Sequence, residues 1–238
     1  MASLARQRIV VVGGASGIGL AVARAADALG ARVTIMDLSP DKLSALGASL
    51  PRVETRVVDV MQEAMVVEAF ASFEAVDHVY VSAGTTRLGS ILEGAVDEQL
   101  APLVLRLWGS VFVTRAAAKK VRPGGSFTFT GGVSTDRPVA GAWVSSVATA
   151  AAEQLARAMA LELAPVRFNA VAPGWTDTPM WDAVLGANKS AVFASVSEKL
   201  PTRRLSTADE VAEAVLFLMR NEALTAEIVH VDGGGRLV

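Results

Sequence analysis

Short runs of β-branched and other apolar residues alternate with longer alanine- and leucine-rich runs along this 238-residue chain. The short runs at 8–13, 31–37, 53–58, 77–82, 125–130, 166–172 and 227–231 predict strands. Most have no polar face. Arg8-Ile9-Val10-Val11-Val12 and His78-Val79-Tyr80-Val81 are apolar at consecutive positions, as expected of strands covered by helices on both sides. The longer runs at 17–29, 40–48, 62–73, 96–121, 143–163 and 207–219 predict those helices. Strand, helix, strand order favours parallel pairing through crossover connections, so the pattern predicts an α/β fold with a seven-stranded, doubly wound parallel sheet.

Composition narrows the picture. With 52% hydrophobic residues and no linker-like or charge-run segment, one domain over 1–238 is expected. The net charge of -2 and the absence of any Lys/Arg cluster argue against nucleic acid or an anionic membrane as partner and leave a small molecule. Residues 1–8 lack the pattern of a signal peptide, and no uninterrupted apolar stretch is long enough to span a bilayer, so a cytoplasmic location is expected. There is no cysteine, and His78 and His230 stand apart, so no metal centre is expected.

The first strand ends in Gly13-Gly14-Ala15-Ser16-Gly17-Ile18-Gly19, and a helix follows at once. Glycines there permit a tight turn, a close backbone approach to a pyrophosphate and tight helix-sheet packing, with helix N-terminal amides facing phosphate. No Lys-Ser/Thr completes a P-loop, so the turn points to a Rossmann-type dinucleotide cradle built on Gly13, Ser16, Gly17, Ile18 and Gly19. Asp37 ends the second strand, where a carboxylate accepts from the adenosine ribose hydroxyls and repels a 2'-phosphate, favouring NAD over NADP. The other reading of Asp37 is a helix N-cap, although Ser39 and Pro40 suit that purpose better.

On these residues the chain resembles the short-chain dehydrogenase/reductase family over nearly its whole length. Gly13-x-x-x-Gly17-x-Gly19 matches the family's cofactor loop, with Val12 where threonine is usual. Asp59, followed by Val60, matches the acidic residue that contacts adenine, and Ser82-Ala83-Gly84 resembles the end of the family's Asn-Asn-Ala-Gly motif. Pro173-Gly174, with Thr176 and Thr178, resembles the segment that holds the nicotinamide carboxamide, and Val231-Asp232-Gly233-Gly234 is a further hallmark. The resemblance implies NAD(P) as cofactor and oxidoreductase chemistry.

The catalytic positions depart from the family. Arg106, in Arg106-Leu107-Trp108-Gly109, stands at the family's active-site asparagine, Gly132 at its serine, Ser145 at its tyrosine and Thr149 at its lysine. A small indel would bring Ser134 or Ser146 into the serine's range, but none supplies a tyrosine: the only one, Tyr80, lies in a strand. In the family the tyrosine passes the hydroxyl proton and the lysine lowers its pKa. Removing a general acid costs about 10²–10⁴ in rate, whereas holding hydride donor and carbonyl together contributes about 7–11 kcal/mol, so its loss does not exclude slow hydride transfer. The remaining candidates are Arg106, as a carboxylate anchor or oxyanion stabiliser, Asp136 as a base, Arg137 as an anchor, and Ser145 and Thr149 with an activating neighbour. Arg106 also reads as a surface arginine paired with an acid, and Ser134-Thr135-Asp136-Arg137 as a solvated loop.

Residues 176–205 match a substrate lid in the family, and Met180, Trp181 and nearby apolar residues suggest an apolar ligand. Trp143 either walls the pocket or packs in the core. Two functions stay open: an NAD(H)-linked oxidoreductase of a small carbonyl or alcohol with a rebuilt proton relay, and a catalytically inactive dinucleotide-binding sensor or partner subunit. The family resemblance, with the small residues of 143–163, implies a homodimer or homotetramer.

Overall fold

Consecutive apolar positions put apolar side chains on both faces of the central strands, and two helical layers bury them. The computed structural model describes residues 2–47 and 49–238. The strands are β1 (Arg8–Val12), β2 (Arg32–Asp37), β3 (Glu54–Val57), β4 (Val76–Val81), β5 (Val121–Thr130), β6 (Arg167–Pro173) and β7 (Ile228–Val231). They form one parallel sheet in the order β3-β2-β1-β4-β5-β6-β7. The helices are α1 (Gly17–Ala28), α2 (Pro40–Leu46), α3 (Glu63–Ala71), α4 (Val96–Ala117), α5 (Trp143–Glu162), α6 (Met180–Leu185), α7 (Lys189–Lys199) and α8 (Ala208–Arg220).

Alternate residues of a strand serve opposite layers. Val10, Val79, Phe127, Phe129 and Phe168 pack beneath α3, α4 and α5, whereas Ile9, Val11, Ile35, Tyr80 and Val171 pack beneath α1 and α8. Phe127 and Phe168 stack with centroids 4.7 Å apart, and burial of each such ring contributes roughly 1.5–3 kcal/mol. The chain winds outward in both directions from the β1/β4 neighbours, so a crevice opens above their C-terminal ends, where ligands of such sheets bind.

The structure changes several sequence expectations. β5 begins at Val121 rather than 125, because Val121 pairs with Val76 before Arg122–Gly125 bulge out and the register resumes at Ser126. The fourth helix stops at Ala117 and tightens into a 3-10 turn over Ala118–Lys120. By length and composition alone Val96–Lys120 would be long and apolar enough to cross a membrane, but charged residues interrupt it and it packs against α3 and α5. The segment after β6 holds two helices separated by a 3-10 turn at Gly186–Asn188, which the apolar pattern did not resolve because the pieces are short. The predicted end of α2 at 48 lies outside the described residues.

Candidate active site

Backbone crowding builds the first half of the site. Gly13 has φ +78°, and a Cβ there would lie 2.5 Å from Ala83 N; a Cβ on Gly19 would lie 2.2 Å from Gly13 O. The turn thus presses against both the end of β4 and α1, and side chains at either position would force them apart. Ser16 caps α1 without a side-chain hydrogen bond and the first turn holds no acid, so the opening amides of the helix have no side-chain acceptor. Asp37 Oδ2 accepts from Ala15 N at 3.0 Å and Oδ1 from Ser39 N at 3.1 Å, which ties the end of β2 to the glycine turn. Ser39 caps α2 through Lys42 N, so the capping alternative for Asp37 falls. Asp59 Oδ1 accepts from Met61 N at 2.9 Å, and Ser82 N and Ala83 N both donate to Val12 O. Thr176 Oγ1 donates to Gly174 O at 3.1 Å, and Thr178 is buried with its side chain facing Gly17.

These residues line one cavity of about 650 Å³: Gly13, Ser16, Gly17, Ile18, Asp37, Asp59, Val60, Ser82, Ala83, Gly84, Pro173, Gly174, Thr176 and Thr178 all face it, while Gly19 supports the turn from behind. The same cavity continues past the ends of β4 and β5 to Arg106, Ser134, Arg137, Ser145 and Thr149.

Arg106 is not a surface arginine. From α4 it reaches the cavity floor, where Nη1 donates to Thr130 O, Nη2 lies against Gly84, and Nε is sealed from solvent with no partner. No acid pairs with it among the described residues, and burial lowers its pKa. Its neighbour across the sheet is Tyr80, wholly buried, whose hydroxyl receives a hydrogen bond from Thr130 Oγ1 at 2.9 Å. Burial pushes the Tyr80 pKa up. The only tyrosine is therefore a partner of the floor residue Thr130, distant in sequence from α5 yet one hydrogen bond from the cavity wall.

Around Ser145 and Thr149 the structure holds a cluster of hydroxyls. Ser145 Oγ pairs with Thr86 Oγ1, and Thr149 Oγ1 meets Thr135 Oγ1 at 3.0 Å and Ser134 Oγ at 3.2 Å. Ser134 does reach the cavity; Ser146 does not, and its hydroxyl is buried without a partner. Asp136 is a correction: it is exposed and turned out of the cavity, because His230 Nε2 holds its Oδ2 at 2.7 Å across 94 residues of sequence. Trp143 does not line the cavity either. Sequence reasoning passed over Glu153, 2% exposed behind the cluster, where Oε1 accepts from Gly132 N at 3.1 Å and meets Thr135 Oγ1 at 3.0 Å. Burial pushes its carboxyl up, against the pull of these hydrogen bonds. The signal for it was available, a lone acid on the alanine-rich face of α5, but it reads equally as a solvated residue.

Over the cavity, Trp175 and Trp181 stack at 4.4 Å with Phe193 edge-on to both, and Met180, Trp181, Leu185 and Val192 form an apolar wall.

A doubly wound sheet with a glycine-turn cradle at its switch point defines a dinucleotide-binding α/β protein. A family model described as enoyl-(acyl carrier protein) reductase matches residues 13–235. The chain is 33% identical over 260 aligned positions to short-chain dehydrogenase/reductase ATR9 of Stachybotrys chlorohalonatus, with all of both chains covered. It is 30% identical to carbonyl reductase family member 4 of Danio rerio, covering 96% of this chain and 98% of the relative. A solved small-chain dehydrogenase in complex with NADPH superposes with a TM-score of 0.87 at 28% identity, covering 98% of this chain and 100% of that one. The chain belongs to the short-chain dehydrogenase/reductase family, oxidoreductases that bind NAD(P), take small-molecule substrates and usually oligomerise. The cradle fits such a nucleotide: the space a Cβ would fill at Gly13 and Gly19 is already taken by backbone, and the α1 amides have no side-chain cap to displace.

Proposed function

We propose that this protein is an NAD(H)-linked oxidoreductase of a small carbonyl or alcohol, apolar or carboxylate-bearing, with a proton route that uses no tyrosine-lysine pair. The observation that carries the reading is the continuity of one cavity from the glycine cradle to the Arg106 floor. Bound nucleotide supplies or accepts the hydride. The α1 amides hold its pyrophosphate, Asp37 its adenosine ribose, Asp59 and Val60 its adenine, and Thr176 and Thr178 its carboxamide end. Asp37 favours NAD over NADP, and Leu38 and Ser39 beside it offer no cation for a 2'-phosphate. Arg106 binds the substrate's carboxylate or its developing oxyanion, the role suited to a fixed charge with an unmet donor. Ser145 and Thr149 place the substrate oxygen through their hydroxyl cluster; Asp136, held by His230, drops out as base.

Residues 176–205 close over the apolar part of the substrate, helped by Trp181 and Met180. The carbonyl reductase among the relatives supports the substrate class. Exposed Trp108, Val147 and Leu161 on α4 and α5 support a homodimer or homotetramer. A second reading, nucleotide binding without turnover, is favoured by one observation: the Ser145 and Thr149 hydroxyls are already satisfied within the protein.

Titrating the protein with NADH and NADPH by nicotinamide fluorescence, with Asp37→Ala alongside, tests the reading. Saturable NADH binding that is tighter than NADPH binding, and a preference that shrinks in the variant, is expected. Binding of neither nucleotide would end the oxidoreductase reading.

A further inference from the structure

The loop after β5 and the start of α5 hold a continuous line of oxygens that runs from the hydroxyl cluster to Glu153, to which no role has been given above. Glu153 lies at its inner end, with Oε1 3.0 Å from Thr135 Oγ1; Thr135 Oγ1 lies 3.0 Å from Thr149 Oγ1, which lies 3.2 Å from Ser134 Oγ. Thr149 and Ser134 face the cavity; Glu153 does not. Two glycines make the line possible. A Cβ on Gly131 would lie 2.3 Å from Glu153 Oε1, and one on Gly132 would lie 2.8 Å from Thr149 Cγ2. The glycine at the family's serine position therefore leaves room for the threonine at its lysine position.

We infer that Glu153 is the proton source of this enzyme, delivering to the substrate oxygen through Thr135, Thr149 and Ser134. The inference rests on the oxidoreductase reading. In the reductive direction the carboxylic acid passes its proton to Thr135 Oγ1, the Thr135 proton moves to Thr149 Oγ1, the Thr149 proton to Ser134 Oγ, and the Ser134 proton to the substrate oxygen. One proton leaves the carboxyl and one reaches the oxygen, while the hydride and its two electrons come from the reduced nicotinamide nucleotide. Glu153 ends as a carboxylate accepting from Gly132 N and Thr135 Oγ1, and it is reprotonated from solvent between turnovers. Oxidation of an alcohol runs the same line backwards. A hydroxyl can both donate and accept; Thr149 Oγ1 donates to Ser145 O at 2.9 Å in this structure, so the relay requires that hydroxyl to turn from the carbonyl to Ser134 Oγ as it passes its proton on.

Its surroundings suit Glu153 to the inner end. No cation pairs with it among the described residues, so burial favours its neutral, proton-holding form. The charged groups that face it are Asp136 after β5, which strengthens that preference, His230 on β7, which opposes it, and Arg106 on α4. The protonated carboxyl is the form that proton donation to a carbonyl needs.

The test compares wild type with Glu153→Gln and Thr135→Val, using phenanthrenequinone as the carbonyl probe with NADH. Nicotinamide fluorescence reports nucleotide binding, and the infrared C=O stretch of a protonated carboxyl reports Glu153 directly. We expect equal NADH binding in all three proteins. The carboxyl band should be present in wild type and Thr135→Val at neutral pH and absent from Glu153→Gln. Quinone turnover should fall about 10²–10⁴-fold in both variants. The wild-type rate should decline as the carboxyl band titrates away with rising pH, and the Glu153→Gln rate should show no such decline. Unchanged turnover in either variant, no band attributable to Glu153 in wild type, or no quinone turnover despite intact NADH binding would overturn the relay. Failure of wild type to bind NADH is seen separately and brings down the oxidoreductase reading, and the relay with it.

Discussion

The cradle at the ends of β1 and β2 and the reaction end beside α5 border one cavity, yet they are made in opposite ways. The cradle is backbone: Gly13, Gly19 and Gly174 each have a neighbouring main chain where a Cβ would go, and the groups offered to a ligand are mostly amides. The reaction end is side chain: Arg106, Ser134, Ser145 and Thr149 line it, with Glu153 behind. A site built from amides survives almost any sequence that keeps the turn, so it matches the family closely. A site built from side chains is remade by each substitution. Here the cation that lines it, Arg106, stands on α4, and Glu153 lies one helical turn beyond Thr149 on α5.

The comparison breaks most visibly at Gly19. Gly19→Ala places a methyl against Gly13 O, so NADH affinity should fall by more than about 10²-fold and stability by about 1–3 kcal/mol, read by fluorescence titration and urea unfolding. Retained binding would mean that the cradle is less rigid than its packing indicates.

The second measurement separates the acid response of the fold from that of the reaction end. His78, at the opposite end of β4, is buried between Ser126 Oγ at 2.9 Å and Gln7 Oε1 at 2.8 Å. Desolvation, with Arg167 adding to it, lowers its pKa to about 4. A histidine whose folded pKa lies below its unfolded value binds fewer protons in the folded state. Stability is therefore full above about pH 6.5, falls as pH drops towards 4 and levels off below, a loss of about 3 kcal/mol. Urea unfolding of wild type and His78→Gln at pH 7 and pH 4.5 should show a steeper acid loss in wild type. Equal slopes would remove His78 as the cause.

The smallest effect is expected at Arg106. Arg106→Met removes a half-buried cation that has no acid partner among the described residues, so stability should hold or rise, and NADH should bind as before. Binding of a carboxylate-bearing aromatic probe, benzoate, should weaken by about 1.5–3 kcal/mol, the worth of a charge-assisted hydrogen bond. Loss of NADH binding instead would make Arg106 part of the cradle and blur the division between the two ends.

What could be read from the chain alone follows the same division. Consecutive apolar positions in β1 and β4 require cover on both faces, and a glycine turn between strand and helix has few uses, so the sheet and the glycine turn were legible from local pattern. The pairing of Asp136 with His230, the seat of the Tyr80 hydroxyl under Thr130, and the closure of Glu153 onto Thr135 were not, because each joins segments that the sequence keeps apart and that only the packed sheet brings together. The short lid helices were hidden for a related reason: pieces the length of α6 owe their form to what they pack against rather than to their own periodicity. The sequence by itself determined the periodicities, and with them the doubly wound sheet and the backbone cradle, because those depend on residue size and spacing along a single element. Only the tertiary structure decided which polar side chains face one another at the reaction end, since hydrogen-bond partnership is a matter of distances in space that no local pattern encodes.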